Sequence, residues 1–163
     1  MLPSSLSKYV TCSHYVDTNI MHYFLTGRFV TKVLSFINQN PIDLLYKKQA
    51  TVEIATYGSD FVKERTIMER NNELSLTLRY LGISLRDFNY TFGNNKSVVG
   101  RYTFPYAKIH KGHTVLSFHR VSEVIYSKMV QLYHIPNIIS SADILSKYWG
   151  YIQVCDTLKP FLF

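Results

Sequence analysis

The chain has 163 residues, 47% of them hydrophobic, and its 18 Lys and Arg outnumber its 11 Asp and Glu to give a net charge of +7. This composition argues against intrinsic disorder and predicts one domain over residues 1–163, while the basic excess permits a polyanionic partner. The two cysteines, Cys12 and Cys155, lie far apart and form no CxxC pair, which argues against a disulfide framework and a Cys-based zinc site and favours a reducing, intracellular compartment, either cytoplasm or nucleus. The sequence has neither an apolar run long enough to span a membrane nor the apolar block of a signal peptide.

The first part of the chain predicts three strands followed by a long helix. Tyr-, Val- and Thr-rich segments predict strands at residues 8–17, 29–38 and 43–56. Turn signals at Gly27 and at Asn40-Pro41 separate them, which favours an antiparallel meander. The apolar spacing then changes to that of a helix, with Ser59 as its N-cap and Gly82 at its end.

The second part predicts strands that alternate with helices. Strands are predicted at residues 89–93 and 129–136, and helices at 95–99, 114–130 and 140–158. The element order is therefore βββ-α-β-α-α-β-α. This order predicts a mixed α/β fold with a five-stranded sheet flanked by helices.

Polar residues stand at the predicted corners between strands and helices. Asp17 ends the first strand, Asp60 begins the long helix, Asn94 follows the fourth strand, and Asp143 lies in the first turn of the last helix. Carboxylates that converge at one end of a sheet repel each other unless a cation neutralises them, which predicts a magnesium site. Two magnesium ions at such a site suit phosphodiester hydrolysis.

Other interpretations of these corners remain open. Asp60 and Asp143 also stand where an acidic residue stabilises a helix N-terminus. Asn94 and the following Asn95 are also typical turn residues. The stretch "GNNKS" is not a phosphate loop, because Gly93 is too close to Lys96 for the GxxxxGK[ST] pattern.

Four segments in order resemble copia-type retrotransposon polyproteins. "KKQATVEIATYGSDFVKER" resembles KKQ-x-TV-x-x-SSTEAEY, "FGNNKSVV" resembles DNxSAI, "KGHTVLSFHRVSE" resembles KHxDxxxHxxRE, and "ADILSK" resembles ADxxTK. The resemblance covers residues 14–163 and implies the ribonuclease H domain that follows reverse transcriptase. That family cleaves the RNA strand of RNA–DNA hybrids with an Asp-Glu-Asp-Asp set and two Mg²⁺ ions.

The resemblance implies catalytic and metal-binding roles for Asp17, Asp60, Asn94 and Asp143. Asp17 and Asp143 match the first and last aspartates, and Asp60 matches the second acidic residue of TEAEY. Gly58 falls on the family glutamate in an ungapped alignment, and Asn94 falls on the third aspartate. With two carboxylates replaced, we expect weak magnesium binding and impaired cleavage. The alternative is a degenerate, non-catalytic nucleic-acid-binding or structural module of the same fold.

The alignment leaves open which acidic residue replaces the family glutamate. Side chains two residues apart on a helix point in directions that differ by roughly 200°. This spacing allows Asp60 to face away from a site centred on residue 58. Glu53 and Glu64 are possible substitutes, although neither stands at the expected corner.

Basic residues are the predicted contacts to nucleic acid. They are Lys47, Lys48, Lys96, Lys108 and Lys111. We expect them to contact the phosphates of an RNA–DNA hybrid that is read by backbone shape and 2′-hydroxyl groups rather than by sequence. A reverse transcriptase domain is a further expected partner.

Overall fold

The computed structural model describes residues 9–20, 28–50, 56–103, 112–136, 140 and 142. The strands are β1 Tyr9–Val10, β2 Cys12–Ile20, β3 Phe29–Ile37, β4 Asn40–Lys48, β5 Ser84–Leu85, β6 Asn89–Gly93 and β7 Val130–His134. The helices are α1 Thr56–Tyr80, α2 Lys96–Thr103 and α3 Gly112–Tyr126. The helix predicted at 140–158 lies outside the described residues, apart from Ser140 and Ala142.

The main sheet has five strands in the order β4-β3-β2-β6-β7. β2, β3 and β4 pair antiparallel, whereas β6 runs parallel to β2 and β7 runs parallel to β6. The prediction of a mixed five-stranded sheet with flanking helices is therefore confirmed. A separate pair, β1 with β5, is parallel and was not predicted as a second sheet, because β5 is only two residues long.

The turn between β3 and β4 lies two residues earlier than predicted. Asn38 and Gln39 have positive φ angles of 48° and 74°, and Ile37 pairs with Asn40 across the turn. Two successive positive φ angles give a two-residue turn whose twist matches that of the flanking strands. The prediction of a turn at Asn40-Pro41 is therefore wrong: both residues open β4, where an edge strand tolerates proline.

The first predicted strand is interrupted at Thr11. Its N–H donates to Asn38 Oδ1 at 2.8 Å, and its carbonyl accepts from Asn38 N–H at 3.0 Å. β2 then runs from Cys12 to Ile20. Asp17 thus lies inside β2, and the prediction that it ends the strand is wrong.

Helix α1 begins at Thr56, the residue at which the third strand was predicted to end, and β4 already ends at Lys48. Ser59 lies inside its first turn and is not the predicted N-cap, since a cap residue has non-helical backbone angles. The predicted end is confirmed: Gly82 has a φ of 72°, its N–H donates to the Arg79 carbonyl at 3.0 Å, and Ile83 N–H donates to the Leu78 carbonyl at 2.8 Å. This pattern closes the last turn of a helix.

The hydrophobic core lies between the sheet and the helices. α1 contacts β2, β3, α2 and α3, and α3 also contacts β7. The central cluster consists of Val16, Val33, Phe61, Ile67, Met68, Val98, Tyr102, Phe118, Val121 and Val130. Within the part of the chain that the structure describes, no helix is both long and apolar enough to span a bilayer.

Candidate functional site

The register of two parallel strands brings Asp17 and Asn94 together. Val16 on β2 pairs with Gly93 on β6, so the residue after each lies at the same level of the sheet. Asn94 Nδ2 donates a hydrogen bond to Asp17 Oδ1 at 2.7 Å. Asp17 is 4% exposed, so this bond satisfies a carboxylate that has little access to water.

Asp60 reaches the same end of the sheet from the first turns of α1. Its Oδ1 accepts from the Thr18 hydroxyl at 2.7 Å, and its Oδ2 accepts from Asn95 Nδ2 at 2.6 Å. Its side chain therefore faces β2 and the end of β6, although it lies two residues after Gly58. Asn95 Oδ1 in turn accepts from the N–H groups of Ser97 and Val98, which makes Asn95 the N-cap of α2. The short helix was predicted to begin with Asn95 itself, and it begins one residue later.

The ammonium group of Lys63 lies among these polar side chains. Its Nζ is 2.9 Å from Asp60 Oδ1 and donates to Asn94 Oδ1 at 3.0 Å. The Lys63 side chain is 0% exposed. We call Asp17, Asp60, Lys63 and Asn94 the polar cluster. In this cluster one cation and one neutral amide link two carboxylates.

Sequence reasoning missed Lys63 and Thr18, and it named Asn95 beside Asn94 at this corner without giving it a role in the site. One signal for Lys63 was present, because Asp60 and Lys63 are three residues apart on a predicted helix and therefore neighbours on its surface. No pattern in the sequence indicated the hydrogen bond from Thr18 to Asp60. It depends on how α1 crosses β2, which only the tertiary structure determines.

A second buried lysine lies beside Asp17. Lys32 on β3 is the direct cross-strand partner of Asp17 on β2, and its side chain is completely buried. Its Nζ lies 5.9 Å from the ring centre of Tyr46 on β4. Asp17 thus has a cationic residue as its neighbour in the sheet, in addition to the amide of Asn94.

Glu64 is a buried acid next to the polar cluster. Its Oε1 lies 3.9 Å from Lys63 Nζ, and the residue is 1% exposed. Burial raises the pKa of Glu64 to about 7; Lys63 opposes this rise and Asp60 adds to it. Glu64 also packs against Gly93, where an added Cβ would lie 2.8 Å from Glu64 Oε1. Only glycine fits at position 93 unless Glu64 moves.

The residues of the polar cluster do not fit a pair of magnesium ions. The amide oxygen of Asn94 already accepts from Lys63, and the ammonium of Lys63 stands against Asp60. Among the described residues, no group of three or more His, Cys, Asp or Glu is placed to hold a metal. Asp143, the remaining predicted ligand, lies outside the described residues.

Three of the predicted nucleic-acid contacts are described, and all three are exposed. Lys47 and Lys48 stand at the end of β4, and Lys96 is the first residue of α2, next to the polar cluster through Asn95. Lys47 and Lys48 also line a cavity of about 240 Å³, together with Arg65. Lys108 and Lys111 lie outside the described residues. That these lysines contact nucleic acid stays a prediction.

Comparisons with known proteins support the fold. No protein-family model and no curated protein sequence matches the chain. The structure of LC11-RNase H1, isolated from compost by a metagenomic approach, is similar with a TM-score of 0.57 and 15% identity, over 83% of this chain and 91% of that chain. LC11-RNase H1 in complex with an RNA/DNA hybrid is similar with a TM-score of 0.54 and 13% identity, over 80% of this chain and 88% of that chain. The N-terminal RNase H domain of Rv2228c from Mycobacterium tuberculosis is similar with a TM-score of 0.53 and 11% identity, over 92% of this chain and 97% of that chain. The chain therefore has a ribonuclease H-like fold.

Proposed function

We propose that this chain is the ribonuclease H-like domain of a copia-type retroelement, and that it binds RNA–DNA hybrids but cleaves them slowly or not at all. The fold and the four sequence segments that resemble copia-type polyproteins support this assignment. LC11-RNase H1, which has a similar fold, forms a complex with an RNA/DNA hybrid. A reverse transcriptase domain of the same polyprotein is the expected neighbour.

The observation that carries the proposal is the position of Lys63. An ammonium group within 3.0 Å of both Asp60 and Asn94 supplies the positive charge that clustered polar oxygens otherwise take from a metal. A divalent ion would have to displace this ammonium from a buried ion pair. Removing one partner of such a pair leaves an uncompensated buried charge and costs about 3 to 5 kcal/mol. The polar cluster is therefore satisfied without magnesium.

The same neutralisation favours binding without metal. Bare carboxylates would repel the phosphates of a hybrid, whereas here hydrogen bonds and the charge of Lys63 offset Asp17 and Asp60. The exposed Lys47, Lys48 and Lys96 then supply the attraction. Because each phosphate contact releases a counterion, the affinity should fall steeply with salt.

Fluorescence anisotropy with a labelled RNA–DNA hybrid tests the proposal, with a cleavage assay on the same hybrid. We expect binding in EDTA that changes little when magnesium is added and weakens about tenfold or more between about 50 and about 200 mM salt. The double change Lys47→Ala with Lys48→Ala should weaken binding, whereas Lys128→Ala, at an exposed lysine beyond α3, should not. Absence of binding at low salt, or rapid magnesium-dependent cleavage, would contradict the proposal.

A further inference from the structure

A cavity of about 300 Å³ lies between the main sheet and α1. The residues that line it are His14, Ser35, Ile42, Asp43, Arg70, Glu73, Leu74 and Thr77. His14 lies three residues before Asp17 on β2, and Arg70 lies seven residues after Lys63 on α1. Along both elements the cavity is therefore displaced by roughly 10 Å from the polar cluster. We call it the His14 cavity.

Two buried nitrogens on residues of this cavity have no hydrogen-bond partner in the part of the chain that the structure describes. They are Nε2 of His14, a residue that is 1% exposed, and Nε of Arg70. The terminal nitrogens of Arg70 are used, since Nη2 donates to Asp43 Oδ2 and Nη1 donates to Glu73 Oε2, both at 2.9 Å. Buried polar atoms of folded proteins nearly always have a partner. The two nitrogens therefore call for an occupant of the cavity.

The unpartnered nitrogen of His14 is a donor. Ser35 Oγ lies 2.9 Å from His14 Nδ1, and within the described ranges the Ser35 side chain makes no other hydrogen bond. Its proton is therefore used when the hydroxyl donates to Nδ1. Burial lowers the pKa of His14 to about 4, so at pH 7 the ring is neutral and carries one proton. With Nδ1 as the acceptor, that proton lies on Nε2.

Acceptors stand at the exposed side of the same cavity. The side chain of Asp43 is 39% exposed and that of Glu73 is 65% exposed. Each gives one carboxylate oxygen to Arg70, and its second oxygen is able to accept from a ligand. Two carboxylates against one guanidinium leave a net negative charge. This side of the cavity therefore disfavours a phosphate and favours a neutral ligand that donates hydrogen bonds.

Apolar side chains complete the walls of the His14 cavity. Leu74 lines it from α1 and Ile42 lines it from β4. The pairing of β3 with β4 shifts register between Ser35 and Phe36, and Ile42 is the residue of β4 that has no partner in this ladder. A bulge of this kind re-aims a side chain next to a site. Apolar walls suit the faces of a planar ring, whose polar atoms then point to the donors and acceptors at its edge.

We propose that the His14 cavity binds the guanine base of a free nucleoside. Guanine has two adjacent acceptors, N7 and O6, which match the N–H groups of His14 and Arg70. It also has two adjacent donors, N1–H and the N2 amino group, which match the carboxylates of Asp43 and Glu73. Adenine has an amino group in place of O6 and an acceptor in place of N1–H, so its polar atoms oppose those of the cavity. The proposal is independent of hybrid binding.

Isothermal titration calorimetry of the full chain with guanosine at pH 7 measures the binding. We expect a Kd of about 0.1 to 1 mM, as for a small ligand held by few polar contacts. Inosine, which lacks the N2 amino group, should bind about tenfold more weakly, and adenosine more weakly still. GMP should bind no more tightly than guanosine, because the exposed side of the cavity is negative. No binding of guanosine up to about 2 mM overturns the proposal, as does tighter binding of adenosine or GMP.

Substitution of the two carboxylates tests the exposed side of the cavity. Glu73→Gln and Asp43→Asn each remove one charge, and at least one of them should weaken guanosine binding about tenfold. Glu69→Gln is the matched control, because Glu69 also pairs with an arginine of α1, Arg65, and is 50% exposed. Circular dichroism melting shows that the variants remain folded. Guanosine binding that neither cavity variant weakens, or that the control weakens equally, contradicts the proposal.

Nitrogen NMR of the imidazole tests the buried side without a substitution that risks unfolding the chain. We expect the His14 proton on Nε2, and its resonance should shift when guanosine is added but not when adenosine is added. A His14 proton that lies on Nδ1 overturns the proposal. The same holds for His14 signals that stay unchanged when guanosine saturates the chain.

Discussion

Asn94 donates to Asp17 through its amide nitrogen at 2.7 Å, while its amide oxygen accepts from Lys63 at 3.0 Å. This two-sided bonding requires an amide, because a carboxylate has no N–H to give to Asp17. Asn94 therefore makes a hydrogen bond to Asp17 that an aspartate at this position could not make. It fits a cluster whose cation is an ammonium group, and the same neutrality makes it a poor magnesium ligand.

Asn94→Asp should lower the free energy of unfolding by about 1 to 3 kcal/mol at pH 7, because the new carboxylate faces Asp17 where a hydrogen bond stood. Urea unfolding at pH 7 measures the loss. Asn72→Asp, at an exposed position on α1, is the matched control. An Asn94→Asp variant as stable as the parent at pH 7 would refute the pairing.

Removal of Lys63 should be more costly than removal of any exposed lysine. Lys63→Met leaves Asp60 and Glu64 without their buried cation, so we expect a loss of about 3 to 5 kcal/mol. Lys128→Met, at an exposed position, should change stability by less than about 0.5 kcal/mol. Chemical denaturation of the two variants and the parent compares these losses. Equal effects of the two changes would mean that Lys63 has no role in neutralising the cluster.

Magnesium binding should appear only when the Lys63 ammonium is removed and residue 94 carries a carboxylate again. The double change Lys63→Ser with Asn94→Asp removes the ammonium and restores a carboxylate. We expect the double variant to melt lower than the parent in EDTA and to recover with magnesium, by about 2.7 kcal/mol at a hundredfold excess over Kd. The parent and Lys63→Ser alone should respond little. A parent that is stabilised as strongly as the double variant would show that Lys63 does not exclude the ion.

The sequence predicted the sheet well because its strands are long, rich in β-branched and aromatic residues, and separated by turns. It placed the hairpin turn at Asn40-Pro41 because proline is a strong turn signal, whereas the turn uses Asn38 and Gln39 in left-handed conformations. Local propensity did not reveal this, since the choice depends on the register between β3 and β4.

The candidate site was only partly predictable for a related reason. Asp60 and Asn94 were placed correctly from where a helix begins and a strand ends, whereas Asp17 was placed at a strand end although it lies inside β2. The structure does bring the three side chains together, Asp17 through Asn94 and Asp60 through Lys63. The identity of the cation did not follow from these positions. Lys63 reads as an ordinary polar residue of a helix, and only the packing of α1 over the sheet turns it towards Asn94.

Gly93→Ala and Gly100→Ala should change stability in opposite directions. A Cβ at position 93 would lie 2.8 Å from Glu64 Oε1, and Glu64 is too buried to move freely, so we expect a loss of about 1 to 3 kcal/mol. A Cβ at position 100 on α2 meets nothing within 4 Å, so alanine should stabilise the helix by about 0.5 to 1 kcal/mol. Thermal melting of the two variants and the parent measures both changes in stability. Adding Glu64→Ser should relieve part of the loss at position 93, and a loss that persists in full would rule out this contact as its cause.

Glu64 should make stability depend on pH around neutrality. Burial raises its pKa in the folded state from 4.5 to about 7, so the folded chain holds a proton that the unfolded chain has released. Stability from this group is therefore highest below about pH 4.5, falls as the pH rises towards 7, and is lost above that pH. His14 acts in the opposite sense, because burial lowers its pKa to about 4 and stability is lost as the pH falls from 6.5 to 4.

Glu64→Gln isolates the glutamate, because the histidine contributes equally to parent and variant. The stability of Glu64→Gln relative to the parent should increase between pH 5 and pH 8, by up to about 3 kcal/mol for a pKa rise from 4.5 to about 7. Urea unfolding at pH 5, 6.5 and 8 measures this difference. Glu123→Gln, at an exposed position on α3, controls for the loss of one carboxylate. A difference for Glu64→Gln that stays constant from pH 5 to pH 8 would mean that Glu64 is already ionised in the folded chain, with Lys63 outweighing the effect of burial.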